Sequence, residues 1–349
     1  MKPFILVAYS LFPIALLCSL LSITRAQVQP QKKPNFRSGG READRTLRDL
    51  NNARLEQQRI VVKYEKNSRG EYVFLCENRA YCNYIVEVSF TEFENLQSDV
   101  PLPARMTVPP GTSHLFVLRR ISETLPVRLH YHHNSVRGCT NPRPDTAFTY
   151  LLPVPPGRET QVYELHYIAE EYGGESVPKG WYALELLLHS GDTVFAARSG
   201  RVTETRDQAD LADSGYRYAK EENFVEISHN DCTFGRYTVF RDSGIFVQPG
   251  DWVVAGQPLG IAGGDKYAGG PQVRFSVRYN LEQDVLKDGM PTDKKHAWAY
   301  VPLKCWTKDK GAIHLKHLDH YTSEHPAAII TQEMTKKEAN KWMEDHKNG

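Results

Sequence analysis

Histidine, glutamate and cysteine side chains can hold a metal or move protons, and here they gather in four places. His130, His132 and His133 crowd into one run, and His314, His317 and His320 recur at every third residue. Glu185 and His189 stand four apart, and Cys76 and Cys82 stand six apart. A catalytic zinc needs three lone-pair donors converging on one point, with a fourth position left open. Because a strand sends alternate side chains to opposite faces, His130 and His132 share a face that His133 leaves. The spacing of His314, His317 and His320 fits neither a helix face nor the four-residue step of a helical metal pair, so solvated loop histidines are expected. Glu185 and His189 fall in a strand and turn, where alternation does not ensure that they converge. None of these groups is a metal site by spacing alone.

The elements around them are set by export and by short apolar runs. Met1 and Lys2 are followed by an apolar run from Phe4 to Leu21 and then by Thr24-Arg25-Ala26, which reads as a cleaved secretory signal peptide over residues 1–26. Pro13 and Ser19 interrupt the run, which is short for a membrane span. No later segment is apolar enough to cross a bilayer, so no transmembrane anchor is expected after cleavage. The expected location is secreted or periplasmic, in a Gram-negative envelope. Cleavage removes Lys2 and Arg25 and leaves 41 basic against 42 acidic residues, a balance that gives no footprint for nucleic acid. Export permits disulfides, and Cys76, Cys82, Cys139, Cys232 and Cys305 remain. Cys76 and Cys82 flank a short turn between strand-like runs, and a hairpin disulfide between them is expected. The odd count leaves a thiol or an intermolecular bridge, and the pairing of Cys139, Cys232 and Cys305 stays open. None of the five sits in a nucleophile context.

Residues 27–55 are polar, charged and glycine-rich, as a flexible linker is. From Ile60 onward come six or seven runs rich in Val, Tyr and Phe, separated by Pro, Gly or Asn, which read as an antiparallel β-sandwich over 56–170. A second β-rich block spans 175–325, with its core at 181–279. The tail 326–349 carries Thr335 and Glu338 as a capping box, then Ala339, Trp342 and Met343 as one apolar stripe on a short helix. The expected class is all-β, two β-domains and a short C-terminal helix.

The second block carries a resemblance. The stretch Gly191 to Val202 with its Ala-Ala pair, the strand Ile227-Ser228-His229, Tyr237, Val247-Gln248-Pro249-Gly250-Asp251 and Val254-Ala255-Gly256-Gln257 come in order. Gly260, Gly263 and Gly270-Pro271 follow, and then Phe275. Together, over about 100 residues, they resemble the lysostaphin/LytM-type zinc endopeptidases, whose antiparallel β-domain is called the duplicated hybrid motif. The resemblance implies a zinc held by a histidine, an aspartate and the second histidine of a His-x-His pair, with a further histidine two residues after a tyrosine helping to polarise water. Carried onto this chain, the first position falls on Val177 or Trp181 and the aspartate on Glu185. The histidine after Tyr237 is Val239, and the His-x-His pair is Gln272-Val273-Arg274. His229 matches a residue near the site that is not a ligand, with a core role weighed above a binding one.

Valine has no lone pair, and arginine is a permanent cation without an acceptor. The expected cofactor is therefore none, with the zinc lost. Arg274 is expected either to fill the metal position and pair with Glu185, or to stay exposed and apart from it. Three functions remain open: a non-catalytic module that binds peptidoglycan or regulates a cell-wall hydrolase, an endopeptidase with other ligands such as Glu185 and His189, and a structural envelope scaffold.

Overall fold

A computed structural model of the chain describes residues 59–166, 177–207, 222–281 and 298–346. The signal peptide and the linker expected from the sequence lie outside these residues. Arg54–Gly349 forms one compact unit, and among the described residues its architecture is mainly β, with two short helices near the C-terminus.

The first half is a two-sheet sandwich. One sheet orders Ile60–Lys66, Tyr72–Asn78, Gly111–Arg120 and Leu96–Ser98, and the other places Tyr84–Glu94 between Ala104–Val108 and Arg128–Arg137. Tyr72–Asn78 alternates buried and half-buried residues without a break, the period expected of a strand with one face on a core. Phe74 stacks on Phe116 at 4.6 Å, and Tyr131 of the opposite sheet donates its hydroxyl to the Val62 carbonyl at 2.9 Å. His130 and His132 are exposed while His133 is half-buried, as alternation requires.

Two expectations need correction. The last runs assigned to the sandwich, around Thr149–Leu151 and Glu159–Glu164, join sheets of the second half: the first pairs in parallel with Lys304–Thr307, and the second lies between Leu184–Leu187 and His320–Thr322. Alternation says that a strand has a buried face but not which core receives it, and Tyr150, Leu152 and Val162 enter the core of the second half. The disulfide joins Cys139 to Cys232 with Cα atoms 5.9 Å apart, whereas Cys76 and Cys82 are buried thiols. Cys76 points into the sandwich core from its strand, and the turn after it is set by Asn78, which donates to the carbonyls of Cys82 and Val108. Short spacing brings two cysteines near each other, but a disulfide also needs their Cβ vectors to converge.

The second half is built on a nine-stranded sheet in the order Trp252–Val253, Gly200–Arg206, Phe224–Ser228, Phe234–Thr238, Gln272–Asn280, Leu184–Leu187, Glu159–Glu164 and His320–Thr322, with Trp298–Tyr300 paired beside Gln272–Asn280. A three-stranded sheet of Thr193–Phe195, Pro258–Ala262 and Phe240–Ile245 shares its core. Gly200 is required where the strands close together, because a Cβ there would lie 2.4 Å from the Ser228 carbonyl oxygen.

The halves are joined through polar and apolar contacts as well as the disulfide. Phe234, from the second half, is buried in the sandwich core. Arg137 of the sandwich donates to the fully buried Glu226 at 2.6 Å and to Glu204 at 3.0 Å, and its carbonyl accepts from Asn280 Nδ2 at 2.9 Å. Arg278 and Arg236 reach the other Glu226 oxygen at 2.6 and 3.5 Å. Burial by itself would raise this carboxyl, but Arg137, Arg278 and Arg236 hold it at about 2.

The tail closes on the same body. Thr335 and Glu338 form the expected capping box for the helix Lys336–Asp345, and the preceding helix Ala327–Ile330 buries Ile330 beside Leu151 and Ala255. Arg198, 3% exposed, donates to Glu333 at 2.7 Å and to Asp231 at 2.8 Å, with its guanidinium 4.0 Å above the Phe148 ring.

Candidate functional site

Glu185 lies on Leu184–Leu187, whose antiparallel neighbour Gln272–Asn280 sets Glu185 opposite Arg274 and Leu187 opposite Gln272. On its other side Arg274 stands opposite Thr238 of Phe234–Thr238. Gln272 and Arg274, two residues apart, share a face of their strand. The strand pairing thus brings Glu185, Gln272 and Arg274 together, and their polar atoms meet.

Arg274 Nε donates to Glu185 Oε2 at 2.9 Å, and Gln272 Nε2 donates to the same oxygen at 2.8 Å. Arg274 Nη1 donates to Glu222 Oε1 at 2.7 Å, and the Tyr267 hydroxyl donates to that oxygen at 3.1 Å. The Tyr267 ring lies 5.7 Å from the guanidinium. The side chains of Arg274, Glu185 and Glu222 are only 10%, 15% and 8% exposed. The guanidinium therefore sits between two carboxylates, largely sealed from water, where a charge-assisted pair is stronger than on a surface.

The other positions from the sequence serve structure. Val239 is buried with φ of 74°, a left-handed conformation that is rare for a β-branched residue. Its N–H donates to the Asn223 carbonyl and its own carbonyl accepts from Gly263, so the backbone around it is held on both sides. Tyr237 is buried, stacks on Phe275 at 4.6 Å, and its hydroxyl oxygen accepts from the Ala197 N–H at 2.9 Å. His229 is buried with Nδ1 2.9 Å from the Ser199 carbonyl, while Nε2 has no partner among the described residues. Burial, helped by the charge on Arg198, pushes its pKa down to about 3, so the ring stays neutral.

Of the two residues at the first-histidine position, Val177 is 43% exposed, and Trp181 donates its indole N–H to the Leu165 carbonyl at 2.7 Å. His189 is exposed in a turn, where its backbone N–H donates to Asp192, and it stands outside the Glu185 cluster. His314 faces the Leu303 carbonyl, His317 accepts from the Glu164 N–H, and His320 faces Glu159, so the three serve separate contacts. Glu222 and Tyr267 escaped the sequence reading. The acidic pair Glu221-Glu222 was the available signal, but nothing in its spacing said that one member turns inward onto Arg274.

Residues 179–286 match the model of peptidase family M23. This segment is similar to that family. Among solved structures, the catalytic domain of the antimicrobial peptidase lysostaphin from Staphylococcus simulans is 26% identical, with 28% of this chain and 65% of that one covered and a TM-score of 0.22. The prophage-encoded M23 protein EnpA of Enterococcus faecalis, through its catalytic domain, gives 21% identity, 34% and 81% coverage and a TM-score of 0.21. Pseudoalterin, an M23 metalloprotease from the deep sea, gives 14%, 51% and 97%, with a TM-score of 0.29. These TM-scores are low, so the likeness to the family rests on the match over residues 179–286. The chain spans less than two thirds of either lysostaphin structure, 65% of the catalytic domain and 42% of the longer one. No curated protein matches the chain.

Zinc is the metal that the resemblance implies, and the residues at the M23 site positions do not fit it. Three lone-pair donors are needed. Val239 supplies none, Arg274 supplies a cation, and the Glu185 oxygen nearest to Arg274 already accepts two hydrogen bonds. Among the described residues, no group of three His, Cys, Asp or Glu side chains is placed to hold a metal ion.

Proposed function

We propose that this chain is an exported, non-catalytic relative of the M23 peptidases that acts by contacting the cell wall or a hydrolase working on it. One observation carries the reading: the Arg274 guanidinium is enclosed between Glu185 and Glu222 at the position the resemblance gives to a metal ligand. A fixed positive charge there repels a dication, and without the dication no water is activated for amide hydrolysis. The wall as target comes from the family resemblance, and export from the signal-like residues 1–26. The expected location is the periplasm or the medium. No helix among the described residues is long and apolar enough to cross a membrane.

Metal analysis of the purified chain, combined with muropeptide release from sacculi and sedimentation with intact sacculi, tests this. The expected result is no stoichiometric zinc, no released muropeptides and co-sedimentation with the wall. Zinc-dependent release of muropeptides would overturn the reading in favour of an endopeptidase with other ligands. Absence of both cleavage and co-sedimentation would leave a scaffold.

A further inference from the structure

A pocket of about 510 Å³ opens between the C-terminal helix Lys336–Asp345 and the strand Trp252–Val253, lined by Asn230, Trp252, Glu338, Lys341, Trp342 and Asp345. Its size falls in the range of about 300–1,000 Å³ found for small-ligand sites. Trp252 lies on the terminal strand of the nine-stranded sheet, is 49% exposed and presents its indole to the pocket. On the other side the Trp342 ring stacks on His346 at 4.2 Å and 15°, which fixes its orientation.

The aromatic surface continues beyond the pocket. Tyr81, 46% exposed, packs on Gly250, where a Cβ would come within 2.8 Å of the ring. Arg201 ties this turn to the Trp252 strand, donating to the Gly250 carbonyl at 2.7 Å with its guanidinium 5.8 Å from the Trp252 ring. Two exposed aromatic rings from different halves of the molecule therefore flank one turn, and that row leads into the pocket.

The polar lining narrows the ligand. Glu338 is committed to the helix cap and Glu333, at the pocket wall, to Arg198, so the walls are fixed. The exposed side chains of Asn230, Lys341 and Asp345 make no hydrogen bond or ion pair among the described residues, and they offer an amide, an ammonium and a carboxylate to a ligand. With Glu333 paired to Arg198, Glu338 and Asp345 still outnumber Lys341, so the lining disfavours an anion. Its charged rim disfavours a wholly apolar guest. A pyranose suits both features: its C–H face packs on the electron-rich face of an indole, and its hydroxyls exchange hydrogen bonds with amide and carboxylate groups.

We propose that this pocket binds one unit of an oligosaccharide whose chain continues over Trp252 towards Tyr81. That the sugars are N-acetylhexosamines rests on the wall-associated reading above, whereas the saccharide chemistry rests on the pocket itself. The site is separate from the Glu185–Arg274 cluster and shares no residue with it.

Calorimetry and indole fluorescence of the exported chain titrated with tri-N-acetylchitotriose test the proposal. Saturable binding is expected, weakened about tenfold or more by Trp252→Ala and by Trp342→Ala, the loss typical of a central aromatic contact. Because Trp342→Ala could loosen the helix, Asn230→Ala and Asp345→Asn provide variants at exposed positions, checked by an unchanged melting temperature, and each should also weaken binding. Tyr81→Ala should weaken the hexasaccharide and not the trisaccharide. No saturable binding, binding undiminished in both tryptophan variants, or displacement of the sugar by a wall stem peptide would each overturn the saccharide site. Failure with chitotriose while sacculi still sediment the chain removes the pocket proposal and leaves the wall reading standing. Chitotriose binding without sedimentation by sacculi does the reverse.

Discussion

Arg274 and Glu185 are register partners on adjacent antiparallel strands, and a 2.9 Å hydrogen bond from Nε to Oε2 closes the pair. Glu222 completes it from the opposite side of the guanidinium at 2.7 Å. Removing Arg274 alone leaves two carboxylates largely buried without their cation. Arg274→Met is expected to lower unfolding stability by roughly 3–5 kcal/mol in urea titration. The triple variant Glu185→Leu, Glu222→Leu, Arg274→Met should recover most of that loss, because burying no charge avoids the desolvation cost altogether. Equal stability of Arg274→Met and the parent would show that the cluster is not closed in solution.

Glu226 makes stability depend on acid. Its folded-state pKa lies at about 2, below the ordinary 4.5, so the folded state binds its proton less readily than the unfolded chain does. The stabilisation is full above about pH 4.5 and is lost as pH falls towards 2. Melting temperatures measured from pH 6 down to pH 2 should therefore fall, with Glu226→Gln showing a lower and flatter curve. A parent curve as flat as that of the variant would remove the assignment.

Reduction should loosen the junction between the halves. Cys139 and Cys232 lie 93 residues apart in sequence, and closing a loop of that size restricts the unfolded chain by roughly 4–5 kcal/mol in the chain-entropy account. Cys139→Ser is expected to lower the melting temperature of the oxidised protein and to abolish its response to dithiothreitol. Peptide mapping should find alkylated Cys76, Cys82 and Cys305 only after denaturation, since all three thiols are buried.

Arg198 holds the tail. It is 3% exposed and bridges Asp231 and Glu333. Arg198→Met should cost roughly 3 kcal/mol and expose the segment containing Lys336–Asp345 to limited proteolysis. Cleavage there no faster than in the parent would mean that apolar packing of Ile330 and Trp342 is enough to hold it.

Features that depend on neighbours in sequence could be read before any fold was known. The capping box of Thr335 and Glu338 was one, because cap and helix are three residues apart and need no tertiary partner. The alternation that separates His133 from His130 and His132 was another. The pairing of Glu185 with Arg274 was one of two alternatives that the sequence left open, and the register of their strands decided it. Glu222 and Tyr267 were not legible, since they reach the site from outside those strands and nothing local to them points inward.

By itself the sequence determined that the chain is β-rich and that a valine and an arginine, Val239 and Arg274, stand where the resemblance expects histidines, because side-chain chemistry and period-two alternation are local properties. Tertiary structure decided the rest: which sheet received Thr149–Leu151 and Glu159–Glu164, which cysteines joined, and which side chains enclose Arg274. Each of these depends on residues far apart in the chain approaching within a few ångströms. That approach is set by the packing of whole strands into a common core, and no short window of sequence contains it.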